Sequence, residues 1–273
     1  MKTKETISTN PSLIERMFEA GAHFGYSRSR RHPSSTKFLF GSKGGSDIID
    51  LEKTHSHLGK ALDAVREYAA KGKTVLLVGT KPEAREAVKE IATALALPYV
   101  TYKWIGGTLT NFSEIRKRVE RLRMLKGQKE RGDLDVYSKK ERRDLEDEIT
   151  RLERNFGGVV TLERIPEALF VIDPRHEDTA VTEAKKLGVS VIALANSDCN
   201  VKDIQCPIPG NDSSRSSIRF FLEQMKSAFV DGTERKEFAK ATALEAAKNA
   251  ELLATQEKEK VVAHAKETSE DEQ

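Results

Sequence analysis

Three short runs without a charged side chain constrain this chain most: Thr74-Val-Leu-Leu-Val78, Ala168-Leu-Phe-Val-Ile172 and Val189-Ser-Val-Ile-Ala-Leu194. A strand with one wet face alternates apolar and polar residues, whereas a run apolar throughout needs cover on both faces, as a parallel strand between two helical layers has. The cover is encoded around the runs. From Thr54, which is placed to open a helix, to about Ala70, the residues Leu58, Leu62, Val65 and Tyr68 recur at threes and fours. Thr80 is placed to cap a helix with Pro82 in its first turn and Val88, Ile91 and Leu95 on its buried stripe. Pro98 ends that helix before a strand at Tyr99–Tyr102. A helix over 176–187 stops at Gly188, and a last one from about Ser213 to Val230 buries Ile218, Phe221, Leu222, Met225 and Phe229. Nearer the N-terminus, Ser12 caps a short helix ended by Gly21 and Gly25, and Phe38–Phe40 begins a short strand. The alternation predicts an α/β fold, with a parallel sheet of about five strands flanked by helices and joined by right-handed crossovers.

One segment breaks that rhythm. Phe112, Ile115, Val119 and Leu122 form one heptad-like seam, and Leu145, Ile149, Leu152 and Phe156 form another. Between them the polar stretch Gly127–Ser138, with Gly132, can reverse the chain. Two stripes this narrow are expected to zip together as a coiled-coil hairpin that protrudes from the body. The expected organisation is an α/β domain over 12–111 and 156–232, the hairpin inserted over 112–155, a flexible start over 1–11 and a charged tail over 233–273. The tail, rich in Ala, Glu and Lys, reads as a solvated helix or as disordered chain.

Charge enters the argument through its distribution. The formal net charge is only +3, yet Glu234–Gln273 holds seven basic against ten acidic residues, so the body is more basic than the total implies. A basic body with an acidic end points to polyanions. The two cysteines, Cys199 and Cys206, are too few for a secreted disulfide scaffold or a four-ligand zinc site, and reduced thiols in a cytoplasmic protein are expected. Lys2, Lys4, Glu5, Glu15 and Arg16 interrupt the opening residues, so no signal peptide is expected. No run approaches the roughly 18 apolar residues of a membrane span.

Two basic clusters stand out. Arg28, Arg30, Arg31 and Lys37 share one loop with no acidic residue among them. Arg116, Lys117, Arg118, Arg121, Arg123 and Lys126 load the first hairpin arm against a single Glu120. Helix neighbours at three and four residues repel when alike in charge, unless an anion faces them, and a phosphate backbone is such an anion. Trp104, beside Lys103 and before Gly106-Gly107, reads either as a base-stacking platform or as a packing residue. His23, Phe24 and Tyr26 around Gly25 read as a packed corner. The return arm, Lys139 to Glu148, alternates in sign and pairs within and between helices.

Two features suggest enzymes. Gly79-Thr80-Lys81 joins a strand to a helix where backbone N–H groups can hold phosphate, but it lacks the phosphate-loop spacing. Asp173, His176, Glu177 and Asp178 sit at a strand's carboxyl end, where α/β folds bind ligands. Glu177 and Asp178 also suit a helix's first turn. With no nucleophile–base set, the alternatives kept beside RNA binding are a phosphosugar- or nucleotide-binding enzyme using Gly79–Lys81 and Asp173, and a coiled-coil adaptor for another protein.

Seven strings, in order, resemble the bacterial small ribosomal subunit protein two family: Ala20-Gly-Ala-His-Phe-Gly25, Phe40-Gly41, Ile48-Ile-Asp-Leu-Glu-Lys-Thr54, Leu77-Val-Gly-Thr-Lys81, Trp104-Ile-Gly-Gly-Thr-Leu-Thr-Asn-Phe112, Ala168-Leu-Phe-Val-Ile-Asp173 and Ile208-Pro-Gly-Asn-Asp212. The resemblance spans roughly residues 12–232. It implies a non-catalytic constituent of the 30S subunit that binds 16S ribosomal RNA and neighbouring proteins, supports assembly and translation, and docks ribosomal protein one. Lys103, Trp104 and Asn111 join the two basic clusters as expected RNA-binding residues. No cofactor, metal, membrane or small-molecule substrate is expected. The chain departs from the family at Tyr26, where a histidine is usual, and at Arg31-His32-Pro33, usually aromatic-Asn-Pro. It departs again at Asn196-Ser-Asp-Cys-Asn200, usually Asp-Thr-Asn-Cys-Asp.

Overall fold

The computed structural model describes residues 12–238. Helix α1 (Leu13–Glu19) opens with a reciprocal capping box between Ser12 and Glu15. A small antiparallel sheet follows, made of β1 (Phe24–Ser27), β2 (Leu39–Lys43) and β3 (Ser46–Ile49) in the order β1-β3-β2. Two short 3-10 helices, Arg28–Arg30 and Pro33–Phe38, fill most of the stretch between β1 and β2, where the sequence suggests plain loop.

Helix α2 (Leu51–Ala70) begins earlier than its periodicity implies. Asp50 is the cap: its carboxylate accepts from the Glu52 and Lys53 amides, while the Thr54 hydroxyl donates to the Asp50 carbonyl one turn inside. An aspartate one residue before the first helical position outcompetes a threonine within it. Asp50→Ala is expected to cost about 1 kcal/mol in chemical denaturation, and Thr54→Val less.

The main sheet contains β4 (Val75–Val78), β5 (Tyr99–Val100), β6 (Ala168–Ile172), β7 (Ser190–Ala195) and β8 (Cys206–Pro209). Its order is β5-β4-β6-β7-β8 and every pair is parallel. Strand β5 is two residues long rather than four. Strand β8 is absent from the sequence expectation because two of its four residues are proline, which punctuates rather than extends a run. Helix α3 (Pro82–Ala94) connects β4 to β5. Lys81, not Thr80, is its cap residue, since Thr80 is turned inward.

Side chains alternate across the sheet and divide the core in two. Leu77, Phe170, Ile192 and Leu194 face α2, α3 and the last helix, meeting Leu58, Val65, Val88, Phe221 and Met225. Leu76, Val78, Leu169, Val171, Val191 and Ala193 face the other way. On that side lie α4 (Phe112–Arg131), α5 (Lys139–Phe156) and α6 (Asp178–Leu187). The two hairpin seams do not satisfy only each other: Ile115, Val119, Leu122, Ile149 and Leu152 belong to the same apolar cluster as Leu76 and Trp104. Helix α4 passes through Gly127 to Arg131, and the reversal falls at Gly132, whose left-handed φ of 79° suits a residue without a side chain. The last helix, α7 (residues 215–238), runs past Val230. It passes Arg66 so closely that a Cβ at Gly232 would lie 2.4 Å from the Arg66 carbonyl oxygen. The expectations for 1–11 and for the tail beyond 238 lie outside the described residues.

Candidate nucleic-acid interface

The basic loop is partly neutralised from a distance. Arg31 forks onto the carboxylate of Asp47, a fully buried residue of β3, and donates to Ser42 Oγ at 3.1 Å. The hydrogen bond to Arg31 holds the Asp47 carboxyl below the usual carboxylate range in spite of its burial. Arg30 lies 4.3 Å over the Tyr26 ring and reaches Asp198 at 3.5 Å, an acid that also takes Arg175 at 3.0 Å. Arg28 and Lys37 are exposed and make no salt bridge among the described residues; Lys37 lies over the Phe38 ring. Arg31 is therefore a structural tie, while Arg28, Arg30 and Lys37 present charge outward.

The hairpin arm changes more. The anion that its cations require is α5 itself. Arg121 makes a two-pronged bond to Glu148 at 3.1 and 3.0 Å, Lys126 bonds Glu153 at 2.5 Å, and Lys129 reaches Glu146 at 3.3 Å. Arg116 and Arg123 donate to the carbonyls of Leu162 and Val160, and Lys117 to Glu114. Of the six expected cations, Arg118 alone has no hydrogen bond or salt bridge among the described residues. The repulsion inferred from this arm is relieved within the chain.

Trp104 is turned inward. It is 7% exposed and its Nε1–H donates to Glu183 at 3.2 Å. The same carboxylate accepts from the amides of Gly107 (2.7 Å), Leu109 (2.9 Å) and Thr110 (3.2 Å), and from the Thr110 hydroxyl. Burial pushes the Glu183 carboxyl up, but these donors outweigh it and hold its pKa low. The run Trp104–Thr110 is thus a loop wrapped around one buried anion, and its motif is explained by that wrapping. Lys103 and Asn111, at the two ends of the loop, are exposed. Sequence reasoning missed Glu183, although an acid among Ala180, Val181 and Ala184 on a buried helical stripe was a signal.

At the carboxyl ends of β4, β6 and β7 lies a buried ionic cluster. Lys81 Nζ sits 2.8 Å from Asp173, 3.5 Å from Asp212 and 3.2 Å from the Tyr26 hydroxyl. Burial would lower the Lys81 pKa, but Asp212 and Asp173 reverse that and raise it. Asp212 is fully buried, with one carboxylate oxygen lacking any hydrogen-bond donor. Burial and the neighbouring Asp173 push its pKa up to about 6, against the pull of Lys81. Asp173 adopts a left-handed φ of 62°, and its other oxygen accepts from the amides of Arg175 and His176. Asp173, Cys199 and Asp212 come together closely enough to ligate a cation. The donor set fits one poorly: Lys81 already supplies the positive charge, and burial among carboxylates keeps Cys199 a protonated thiol. Next to this cluster, the Gly79–Lys81 turn holds an anion of the chain's own. Glu177 Oε1 accepts from the Thr80 amide at 2.8 Å and its hydroxyl at 2.6 Å, so these donors at the turn are already taken. His23 packs between Phe18 and Phe24, as a packed corner requires.

A model of the ribosomal protein S2 family matches residues 17–232. The chain belongs to that family. Among its relatives, small ribosomal subunit protein uS2 of Helicobacter pylori strain P12 is 38% identical over 247 residues, covering 90% of this chain and 94% of the relative. The uS2 proteins of strains HPAG1 and J99 match to the same extent. S2 proteins are structural components rather than enzymes, which agrees with a phosphate-loop-like turn filled by the S2 chain's own Glu177. No helix among the described residues is long and apolar enough to cross a membrane.

Proposed function

We propose that this S2-family chain is a structural subunit of the small ribosomal particle in the cytoplasm, where it binds 16S ribosomal RNA and adjoining ribosomal proteins. The observation that carries this reading is the family match along the whole described body, residues 17–232. The outward cations supply the chemistry: Arg28, Arg30 and Lys37 on the N-terminal loop, Arg118 on the hairpin, and Lys103 at one end of the Glu183 loop, with the neutral Asn111 amide exposed at the other. Arg31, Arg116, Arg121, Arg123 and Lys126 act beneath them, holding loop and hairpin in shape. The resemblance adds docking of ribosomal protein one, which is checked by its loss from small-subunit fractions when this chain is depleted.

The test is gradient sedimentation of the tagged full chain from lysate. Co-migration with the small subunit at low salt and partial release at high salt are expected, because phosphate contacts release counterions. Migration at the top of the gradient at both salts would defeat the reading. Arg28→Glu, Lys37→Glu and Arg118→Glu combined should weaken association about tenfold or more, with folding unchanged, since three phosphate contacts are lost. Reversal at Arg116 and Arg121 would not serve, because Arg121 joins the two arms and Arg116 ties the first arm to the Leu162 carbonyl.

A further inference from the structure

One group of cations without a salt bridge among the described residues meets where the sequence hid it. Two adjoining hollows of about 580 and 420 Å3 lie along β5 and share Arg85 and Tyr102. Arg85, Lys89 and Arg154 line the first, and Lys103 joins Arg85 in the second. All four cations are exposed, and none forms a salt bridge among the described residues. The carboxylates on these walls are already engaged: Glu153 holds Lys126 at 2.5 Å, and Glu177 is 3% exposed and turned onto Thr80. The contrast with the hairpin arm is direct. There Arg121, Lys126 and Lys129 meet acids on the facing helix, whereas here no acid among the described residues pairs with the four cations.

The cations are also held in place. The Arg154 guanidinium lies 4.2 Å from the Tyr102 ring centroid and that of Arg85 lies 5.7 Å from it. Arg85 Nε is fixed further by the Thr80 carbonyl at 2.8 Å. Planar guanidinium groups resting on an aromatic ring lose little freedom on binding and offer both N–H forks for phosphate and flat faces for bases. Small-molecule sites set a few polar groups among mostly apolar walls, whereas each of these hollows carries two or more cations beside the Tyr102 ring. Acidic protein would use the charge but not the flat faces, so nucleic acid is the better fit.

We infer that this cleft along β5 binds a single-stranded RNA segment, with Arg85, Lys89, Lys103 and Arg154 on its phosphates and the arginines about Tyr102 against a base. The inference rests on the reading of the chain as a ribosomal RNA binder.

The experiment uses the full chain and a fluorescein-labelled oligouridine of about twelve nucleotides, a length within the range that single-strand-binding grooves occupy. Anisotropy is followed over a salt series. For Arg85→Ala/Lys89→Ala/Arg154→Ala, affinity is expected to fall about tenfold or more, and the slope of log K against log salt to fall by about 2. Arg85→Lys/Arg154→Lys should keep the slope and lose affinity, since charge stays and the planar faces go. Lys89→Glu alone, on an exposed residue, gives the same direction without risk to the fold. Unchanged affinity and slope in the folded triple variant would overturn the cleft, as would failure of the wild type to bind oligouridine at low salt. Equal binding of an oligoglutamate, lost in the same variants, would overturn its assignment to nucleic acid. Sedimentation separates the two readings: a wild type that co-migrates with the small subunit while the triple variant keeps its oligouridine affinity refutes only the cleft. A wild type that binds oligouridine through the cleft yet stays at the top of the gradient refutes only the ribosomal assignment.

Discussion

Glu183→Ala is expected to lower the stability by about 4 kcal/mol, because it leaves the amides of Gly107, Leu109 and Thr110 and the Trp104 indole N–H without their acceptor. For a chain of this size that amounts to roughly 8 to 16 °C in Tm. Trp104 is the sole tryptophan and is buried, so its emission reports the loop directly and should move to the red as the wrapping opens. Glu183→Gln should fall between, keeping one carbonyl acceptor but turning an amide N–H2 toward donors. The pH dependence has a definite sign. A carboxyl whose folded pKa is depressed stabilises fully above its unfolded value and loses that contribution as pH falls through the folded value. The gap between wild type and the alanine variant should therefore be full at neutral pH and narrow below about pH 4. A variant within about 1 kcal/mol of wild type, with unshifted emission, would mean that the loop holds without its anion.

Lys81→Met should cost about 3 kcal/mol or more at about pH 8, since it strands Asp173 and Asp212 in a buried cluster with no balancing charge. Acid should rescue it. The folded pKa of Asp212 lies near 6 even with Lys81 present, above the unfolded value of about 3.9. A group raised in this way favours the folded state when protonated and loses that advantage as pH rises through the folded pKa. Removing the cation raises the folded value further, so the variant's deficit should shrink as pH is lowered toward about 5. Urea midpoints of both proteins across that window are the measurement. A deficit constant with pH would show that Lys81 acts by packing rather than by charge.

The sheet was legible because its strands are apolar on both faces: β4, β6 and β7 stand where the uncharged runs are. What periodicity could not supply was the identity of partners distant in sequence. Arg121 reads as an unpaired cation until Glu148 is placed across the hairpin, and Arg31 until Asp47 is buried beneath it. The same limit hid the cleft along β5. Arg85 and Lys89 lie on a helix that also carries Glu83, Glu86 and Glu90, and Arg154 on an arm of alternating sign. Local charge balance conceals a surface that only the fold brings together. The packing role of Trp104 was hidden for a related reason, because the acid that takes its indole N–H lies 79 positions on.

Strand β8 ends the sheet with Pro207 and Pro209, neither of which has an N–H to offer, and the Pro207 carbonyl is taken by the His57 ring at 3.1 Å. An incoming strand would find a margin short of donors, with one of its acceptors already spent. An exposed sheet margin is the usual template for chain-to-chain growth, and this one, none of whose four residues is exposed, is closed both by composition and by α2 packed against it. The chain is thereby guarded on this side against the edge-on polymerisation that an open parallel sheet invites.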